Sequence, residues 1–558
     1  MNGTGTQVLK GNGAIGQALS VTKGTLELTG AEGGNGSVTY KSLTAGSGAH
    51  VRLSPVGEGT GAVNTTLTVA NGLNLQNSHL DLVINTNRDD LFSSPVITVQ
   101  AGDVNLDGTT VSLGSLGDYD DPADPTANLN FTLVDATGAG TVSANGATVD
   151  ASGYFDFYYQ EFGIRTEGGK IVVTGMVKTE NAFMDAANTA NSEAGANLLW
   201  NNRGNAPKGT QLGDLREAVR NDIQSGNTSR AARSMAAAAG STVNALGTAQ
   251  KDALRDQMGW IRNRTTLMGV NPAYVNDDLP RFHMWMEGTG SYAKLDTRGD
   301  ESGYQLTTWG GTVGVDADLS DRLTVGAAFT AGYGDLTASA ADSADGHLDS
   351  YYASLFGRYQ DRRWAHTLIL TGGWNDAKLN RTVNYGEGSY GTQGSTSGWG
   401  FGAMYELTCD VYLDENRSSV LQPLFNASVV TTRMDGYEET GAGNAGLNVG
   451  RQDWTTGTLA LGGRWMGLVG SNIFGREALA EIRVNAAQDL GDRRGETNVS
   501  LLGNPGFAQS VRGAKVGTTA LQLGAGLSVP VGTKGTIYVN GNADIRDGSS
   551  ALNGSVGY

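Results

Sequence analysis

The chain has 558 residues, a formal net charge of −17, and 83 glycines against only 10 prolines. The acidic balance excludes a typical nucleic-acid-binding protein, which needs a basic surface. The lone Cys409 excludes an internal disulfide, and no apolar run reaches the roughly 18 residues of a transmembrane helix. Glycine at about twice its usual share, with little proline, favours extended β-structure with many turns. The N-terminal MNGTGTQVLK lacks the apolar core of a signal peptide, so we expect a cytosolic chain or one whose targeting segment is missing.

Short runs of alternating apolar and polar residues fill residues 1–178, which are rich in Gly, Thr, Asn and Val. Similar apolar units recur 24, 24 and 30 residues apart, beginning at Leu19, Leu43, Leu67 and Ile97. A period of this length with strand content predicts a right-handed β-solenoid, whose rungs bury their apolar faces by stacking. A β-sandwich with irregular loops is the alternative. The aromatic segment FDFYYQEFGIRTEGGKIVVTG resembles a hairpin and is placed to cap the stack.

Residues 179–276 are rich in Ala, Arg and Asp and show no strand alternation. Apolar residues at helical spacing instead predict helices, the last of them over about residues 249–268. The apolar stripe of this last helix consists of Leu254, Met258, Ile261 and Met268. The same helix carries Arg255, Arg262 and Arg264, which on the residues alone fit a solvated face.

Residues 277–558 alternate again, in long segments that give about twelve strands. One face stays apolar throughout, while the other stays polar, charged or glycine-rich. A closed antiparallel barrel in a bilayer has this pattern, with lipid outside and water or a plug inside. A soluble barrel or sandwich is the alternative, although two packed soluble sheets need some strands that are apolar on both faces. Aromatic residues fall near segment ends, as interfacial girdles require: Trp309, Tyr333, Trp364, Trp374 and Tyr558.

Two stretches carry a resemblance to a known family. The segment EIRVNAAQDLGDRRGETNVSLLGNPGFAQSVRGAKVGTTALQLGAGLSVPVG resembles the late-barrel pattern of the autotransporters, the type V secretion proteins of Gram-negative outer membranes. The stretch IRNRTTLMGV, followed by RFHMWMEGTGSYAKLDTRGD, resembles their junction between helix and first hairpin. The likeness covers nearly the whole chain in order: solenoid, helical segment, then barrel.

The resemblance implies a mainly β protein with three parts. Residues 1–178 would end an exported passenger, with an autochaperone-like region near 95–178. Residues 179–276 would be the linker, and residues 277–558 a twelve-stranded outer-membrane barrel with a helix in its lumen. Such a protein anchors and exports its own passenger by folding, without nucleotide, metal or cofactor and without a catalytic residue in this chain. The alternative function is a surface-displayed solenoid adhesin, and an enzymatic passenger would need clustered acids or a triad that the sequence does not show.

The resemblance also implies roles for particular residues. The helix would lie in the lumen, where opposite charges attract more strongly than on an exposed surface. Its three arginines, Arg255, Arg262 and Arg264, would then face the lumen acids Glu287, Asp316, Asp318 and Asp544. The final strand, SALNGSVGY, would be the signal read by the barrel-assembly machinery, through Leu552, Val556 and Tyr558. The expected partners are this machinery, periplasmic chaperones and outer-membrane lipid, with a monomeric protein and a solenoid on the cell surface.

Other motifs carry little chemistry. The segment GDVNLDG, from Gly102, matches the opening of a calcium loop, but Gly114 stands where a bidentate acid should close it. The acidic loop GDYDDPADP is expected to be a solvated excursion rather than a calcium site. Self-cleavage at Asn263 is disfavoured because its RNRT setting does not match the cleavage motif, and Asn201–Asn202 lies too far upstream of the first barrel strand.

Overall fold

The computed structural model describes residues 3–11, 14–31, 33–57, 61–85, 94–115, 127–206, 209–268, 282–473, 476–532 and 535–558. The chain divides into two compact units. The first comprises Met1–Ala186 and Leu199–Ala231, and the second Ala187–Leu198 and Ala232–Tyr558. Five α-helices are described, α1 (Tyr154–Tyr158), α2 (Ala190–Asn201), α3 (Gln211–Gln224), α4 (Thr228–Ala238) and α5 (Ala245–Met268), with 3-10 turns at Ala182–Asp185, Arg203–Asn205 and Gly443–Ala445.

The first unit is built from short strands. They are β1 (Thr6–Lys10), β2 (Ala14–Val21), β3 (Thr25–Thr29), β4 (Ser37–Ala45), β5 (His50–Leu53), β6 (Thr66–Val69), β7 (Leu73–Asn74), β8 (His79–Ile84), β9 (Ile97–Val99), β10 (Val104–Asn105), β11 (Thr110–Ser115), β12 (Leu129–Asp135), β13 (Val142–Ser143), β14 (Thr148–Ala151), β15 (Tyr159–Glu167) and β16 (Lys170–Val177).

These strands form two sheets in which most neighbours run parallel. The order of one sheet is β1-β3-β5-β8-β11-β14, and every pairing in it is parallel. Its register places Leu53 beside Leu82 and Leu82 beside Leu113, all three buried. In the second sheet Leu67 pairs with Ile97, two of the positions from which the sequence repeat was counted. Alternate residues of each strand therefore point inward and stack on the same kind of residue in the next strand.

The aromatic segment at the end of the first unit differs in part from its expected hairpin. Residues 154–158 form the short helix α1, and only then do β15 and β16 pair antiparallel. The reason is packing: Phe157 meets Phe183 at 5.3 Å between ring centroids, and Tyr158 stacks on Trp200. The buried Arg216 guanidinium donates a hydrogen bond to the Tyr158 hydroxyl at 3.1 Å. A helical turn brings these rings onto one side, which an extended strand would not do.

The hydrogen bonds of Asp103, in a turn of the first unit, predict that acid lowers the stability of this unit. Asp103 accepts hydrogen bonds from the Thr141 backbone N–H at 2.8 Å and hydroxyl at 2.9 Å, which lowers the pKa of its carboxyl below the ordinary 3.8. A carboxyl whose pKa is lower in the folded state stabilises the protein above the unfolded value and loses that contribution as the pH falls through the folded value. We expect the unfolding temperature of this unit to decrease when the pH is lowered below about 4.

Thermal melts between pH 6 and pH 3, followed by circular dichroism, measure this effect. The variant Asp103→Asn should lower the unfolding temperature at pH 6 and flatten its dependence on pH. The variant Asp150→Asn, at an exposed aspartate of the same unit, is the matched control. Equal pH profiles for the two variants would contradict the prediction.

The second unit is a barrel with additional strands in its loops. Its strands are β17 (Phe282–Leu295), β18 (Gly303–Ser320), β19 (Leu323–Ser339), β20 (Ser343–Asp361), β21 (Trp364–Tyr385), β22 (Gly388–Cys409), β23 (Val411–Tyr412), β24 (Ser419–Met434), β25 (Tyr437–Glu438), β26 (Leu447–Val449), β27 (Gln452–Ile473), β28 (Arg476–Gly491), β29 (Glu496–Leu501), β30 (Gln509–Arg512), β31 (Thr519–Val531), β32 (Gly535–Arg546) and β33 (Ser549–Gly557).

Twelve of these strands close into one antiparallel barrel. Neighbours in sequence pair from β17 round to β32 and β33, skipping the short loop strands, and β22 pairs directly with β24. The ring closes where β33 pairs with β17, with Gly290 opposite Gly554. Beyond that ladder, Met286 and Tyr558 exchange two backbone hydrogen bonds of 3.1 and 2.9 Å. The predicted twelve-stranded antiparallel barrel is confirmed.

The two faces of the barrel differ as predicted. Apolar side chains point outward and are exposed, among them Met284 at 78% and Leu461 at 67%. Inward positions carry buried polar residues such as Arg464 and Asn485. An outer surface of this kind would be unstable in water but suits contact with lipid. No helix in the described part of the chain is both long enough and apolar enough to cross a membrane.

The two ends of the barrel also differ. At one end, which we call the short-turn end, brief connections such as 321–322 and 362–363 join the strands. The other end, the long-loop end, carries residues 435–451 and 492–518. The strands within these two loops form a separate sheet of order β25-β26-β29-β30. The lumen is therefore covered mainly from the long-loop end.

Candidate functional site: a helix held inside the barrel

The helix α5 lies in the barrel lumen. Its apolar residues Leu254, Met258 and Ile261 are fully buried and form one cluster with side chains of the barrel wall: Trp285, Ala328, Tyr352, Phe356, Ile369, Met404 and Val430. Two glycines of β22 permit this close approach. A Cβ on Gly400 would lie 2.9 Å from Leu254, and one on Gly402 would lie 2.5 Å from the Met258 sulfur. Three residues of the predicted apolar stripe thus pack against the inner wall, and the side chain of the fourth, Met268, lies outside the described part of the structure.

A buried ion pair joins α5 to the barrel near the short-turn end. Arg264 Nη2 lies 2.9 Å from Asp316 Oδ1, and both side chains are almost fully buried. The other Asp316 oxygen lies 3.0 Å from His283 Nδ1. The guanidinium of Arg264 also lies over the Trp285 ring, 5.4 Å from its centroid. The end of the helix is thus fixed by both charge and ring contacts.

A second ion pair lies nearer the long-loop end. Arg255 Nη2 is 3.1 Å from Asp489 Oδ2, and Asp489 also accepts a hydrogen bond from Arg546. At the same level the Tyr304 hydroxyl donates to Asp252. The start of α5 therefore lies toward the long loops and its end toward the short turns.

Hydrogen bonds tie α5 to further strands. Asn553 of the last strand donates to Asp256 at 2.9 Å, and Gln257 donates to Thr330 at 2.8 Å. Gln250, two turns before Gln257, donates to Asn375 at 2.9 Å. Since these partners lie on β33, β19 and β21, the helix is held from several sides of the ring.

The sequence of this barrel decides its family. Residues 284–542 match the family model described as "Autotransporter beta-domain". This part of the chain is an autotransporter beta-domain. The predicted family is confirmed, and a closed barrel of this family indicates a Gram-negative outer membrane.

Named relatives of the chain include an esterase and an extracellular protease. The chain is 30% identical over 218 residues to "Esterase EstA" of Pseudomonas aeruginosa, covering 38% of this chain and 32% of the relative. It is 29% identical over 105 residues to "Extracellular serine protease" of Serratia marcescens, covering 18% of this chain and 10% of that relative. The chain thus spans about a third of the esterase and a tenth of the protease.

Solved structures similar to the chain include autotransporter translocators. The translocator domain of NalP from Neisseria meningitidis matches with a TM-score of 0.41 and 14% identity, over 56% of this chain and 98% of that one. The transport unit of AIDA-I from Escherichia coli matches with a TM-score of 0.34 and 14% identity, over 53% of this chain and 96% of that one.

Of the arginines and acids predicted to meet in the beta-domain, the structure brings Arg264 and Asp316 together. Arg255 instead meets Asp489, an acid that the sequence analysis missed. The strand alternation could have indicated it, because Asp489 lies six residues after Arg483 on β28 and therefore faces the lumen like Arg483. Arg262 has no carboxylate within 4.0 Å among the described residues.

The other predicted acids of the beta-domain have partners on the barrel wall or lie apart from the ion pairs. Asp544 pairs with Arg546 of its own strand at 2.5 Å. Asp318 lies beside the turn at the strand end and accepts from the Thr324 hydroxyl at 2.5 Å. Glu287 is buried on β17, where it lies opposite Gly557 in the barrel seam.

The sequence analysis also missed a buried cluster at the long-loop end of the beta-domain. Arg381 donates to both carboxylate oxygens of Glu439, at 2.7 and 2.6 Å, and to the Ala237 carbonyl at 2.9 Å. Asp342 lies 3.4 Å from Arg381 and accepts from the Thr242 hydroxyl at 2.8 Å. The cluster therefore connects the barrel strand β21 and two loops to the segment that leads into α5.

The last strand presents the two faces expected of it. Leu552, Val556 and Tyr558 are 54 to 57% exposed on the outer face. Asn553 and Ser555 face the lumen, where Ser555 is buried and Asn553 bonds to α5. Whether this strand is read as an assembly signal remains a prediction.

The remaining motifs show no assembled metal site. No group of three or more His, Cys, Asp or Glu side chains able to hold a metal ion occurs in the described ranges. Asp103 and Asp107 are instead acceptors for neighbouring turns, through Thr141 and Asn145. The acidic loop GDYDDPADP lies outside the described residues, as does the expected boundary at 276–277. Asn263 Oδ1 accepts a hydrogen bond from Arg483 at 3.5 Å.

Proposed function

We propose that this chain is an outer-membrane translocator that exports its own N-terminal part to the cell surface and anchors it there. The observation that carries the proposal is α5 inside the closed barrel. The helix enters from the long-loop end and leads toward β17, which begins at the short-turn end. Whatever precedes the helix therefore emerges on the opposite side of the membrane from Phe282.

The chain offers its own driving force for export. The parallel strands of one sheet in the first unit place buried residues side by side, as Leu53, Leu82 and Leu113 are. We propose that residues 1–178 are the end of a β-solenoid passenger that stacks outside the cell. Stacked rungs cannot re-enter a lumen occupied by a helix, so folding disfavours return without any nucleotide or metal.

A catalytic passenger is the second candidate activity for the whole protein. The relatives named as an esterase and an extracellular serine protease share only part of their length with this chain. The partial similarity between these relatives and this chain supports the idea that one kind of translocator carries different exported domains. The solenoid adhesin is the other alternative, and cell binding with and without residues 1–178 would distinguish it.

An epitope inserted at the exposed Gly168 turn tests export. With a signal peptide added, intact Gram-negative cells should bind the antibody at this epitope. A matched epitope at Arg362, in a short turn of the barrel, should become accessible only after the outer membrane is permeabilised. If the Gly168 epitope also requires permeabilisation although the barrel is inserted, the proposal is wrong.

A further inference from the structure

The chain passes between the two units more than once. It leaves the first unit after Ala186, runs through the second unit as Ala187–Leu198, and returns to the first unit as Leu199–Ala231. Only then does it enter the second unit for the rest of its length. We call Ala187–Leu198 the strap. Each unit therefore contains one short segment that is flanked on both sides by residues of the other unit: the strap in the second unit, and the segment with α3 in the first.

The strap is held within the second unit by the edge strand β30 of the loop sheet. The Asn191 side chain donates a hydrogen bond to the Arg512 carbonyl at 2.9 Å and accepts one from the Arg512 backbone N–H at 2.8 Å. It thus bonds to both backbone groups of this residue, as a neighbouring strand would. Asn197 donates to Gln509 of the same strand at 3.2 Å. The strap therefore occupies a sheet edge that would otherwise be open to another chain.

Further contacts fix the strap. Asn191 also donates to the Asp300 carbonyl at 3.1 Å, and the Thr189 hydroxyl donates to the Asp300 carboxylate. A Cβ on Gly195 would clash with the Met235 carbonyl, so the strap part of α2 lies directly against α4. Asn191 itself is 1% exposed, which makes loss of its bonds costly.

Helix α3 is held within the first unit in a comparable way. Three of its apolar side chains are fully buried: Leu212, Leu215 and Val219. Its Arg216 bonds to the Tyr158 hydroxyl of α1, and Gln224 donates to the Gly153 carbonyl at 2.6 Å. The helix therefore contacts both the start and the end of α1.

We infer that the two units stay joined when the chain is cut between α2 and α3. A cut in the turn Arg203–Asn205, where Gly204 is exposed, gives an N-terminal fragment with the strap and a C-terminal fragment with α3. Each fragment then keeps one segment within the other fragment's unit. The two attachments reinforce each other, because either one keeps the other at high local concentration. If the barrel exports residues 1–178, as proposed, a protease at the cell surface could process this passenger without releasing it.

Cleavage of the purified full chain in detergent micelles tests the inference. A recognition sequence for a specific protease is inserted at Gly204, and heat-modifiable migration shows that the barrel is folded before the cut. The two fragments should then elute together in gel filtration and separate in urea. This measurement does not depend on export. Its failure is therefore distinct from failure of the surface epitope at Gly168.

Two variants of the cleavable chain weaken one attachment each. Asn191→Ala removes the bonds to Arg512 and should speed release of the N-terminal fragment on the order of tenfold. Leu215→Ala leaves a cavity beside α3 and should speed it on the order of a hundredfold. Asn384→Ala, at an exposed asparagine of the second unit, is the control and should behave like the parent. Separation of the parent fragments upon cutting, or release from Asn191→Ala no faster than from Asn384→Ala, would overturn the inference.

Discussion

Replacing Tyr558 by aspartate is expected to block assembly of the barrel in cells almost completely, while the purified variant still refolds in detergent. Tyr558 is 57% exposed at the end of the last strand, and its backbone already bonds to Met286. A charge on the lipid face near the membrane boundary costs only about 0–1 kcal/mol. Loss of stability is therefore too small an effect to prevent assembly, and failure in cells would reflect loss of recognition by the assembly machinery.

The measurement compares heat-modifiable barrel from outer membranes with barrel refolded from urea. Tyr558→Phe, which keeps the ring, should assemble like the wild type in both settings. Normal assembly of Tyr558→Asp in cells would show that the terminal aromatic residue is not needed. Failure of this variant in detergent as well would assign the effect to folding and not to recognition.

Replacing Arg381 by methionine is expected to destabilise the barrel by about 3–5 kcal/mol, because it removes one partner of a buried ion pair. Arg381 is 1% exposed and holds Glu439 and Asp342, which are equally buried. Without the guanidinium, two carboxylates would remain in the interior without compensation. The bond to the Ala237 carbonyl would also be lost, which loosens the segment before α5.

Urea unfolding in detergent micelles measures this change, and protease cleavage within residues 435–451 reports local opening. Arg433→Met is the matched control, since Arg433 pairs with Asp453 at 2.8 Å on a half-exposed surface. Exposed pairs of this kind contribute about 0–1 kcal/mol. Equal unfolding midpoints for Arg381→Met and Arg433→Met would contradict the importance of the buried cluster.

The barrel and its helix were predictable because one local rule governs each. Residues alternate along a strand because one face contacts lipid and the other faces the lumen. The face on which Met284 or Arg464 lies can therefore be predicted without knowing its contacts. Likewise the helical spacing of Leu254 and Met258 predicts a helix without any information about the barrel wall. These patterns need only neighbours in sequence.

The lumen contacts could not be predicted in the same way. Arg255 and Asp489 are separated by 234 residues, and their meeting depends on the register of every strand between them. The alternation predicts that Asp489 faces the lumen. It does not predict the height of Asp489 along the barrel axis or the side of the helix that it faces. For the same reason, Arg381 could be assigned to the lumen face but not to Glu439. The helix α1 was not predicted because its aromatic residues pack against Phe183 and Trp200, which come later in the chain.

The barrel seam has a consequence for the timing of biogenesis. It pairs Glu287 with Gly557, residues separated by 557 − 287 = 270 positions, and Tyr558 at the end of the chain adds the last bonds. A ribosome must therefore synthesise β33 before the ring can close. The residues upstream of Phe282 are therefore synthesised before the ring closes. If the closed barrel is the export route, as proposed, export follows the synthesis of β33.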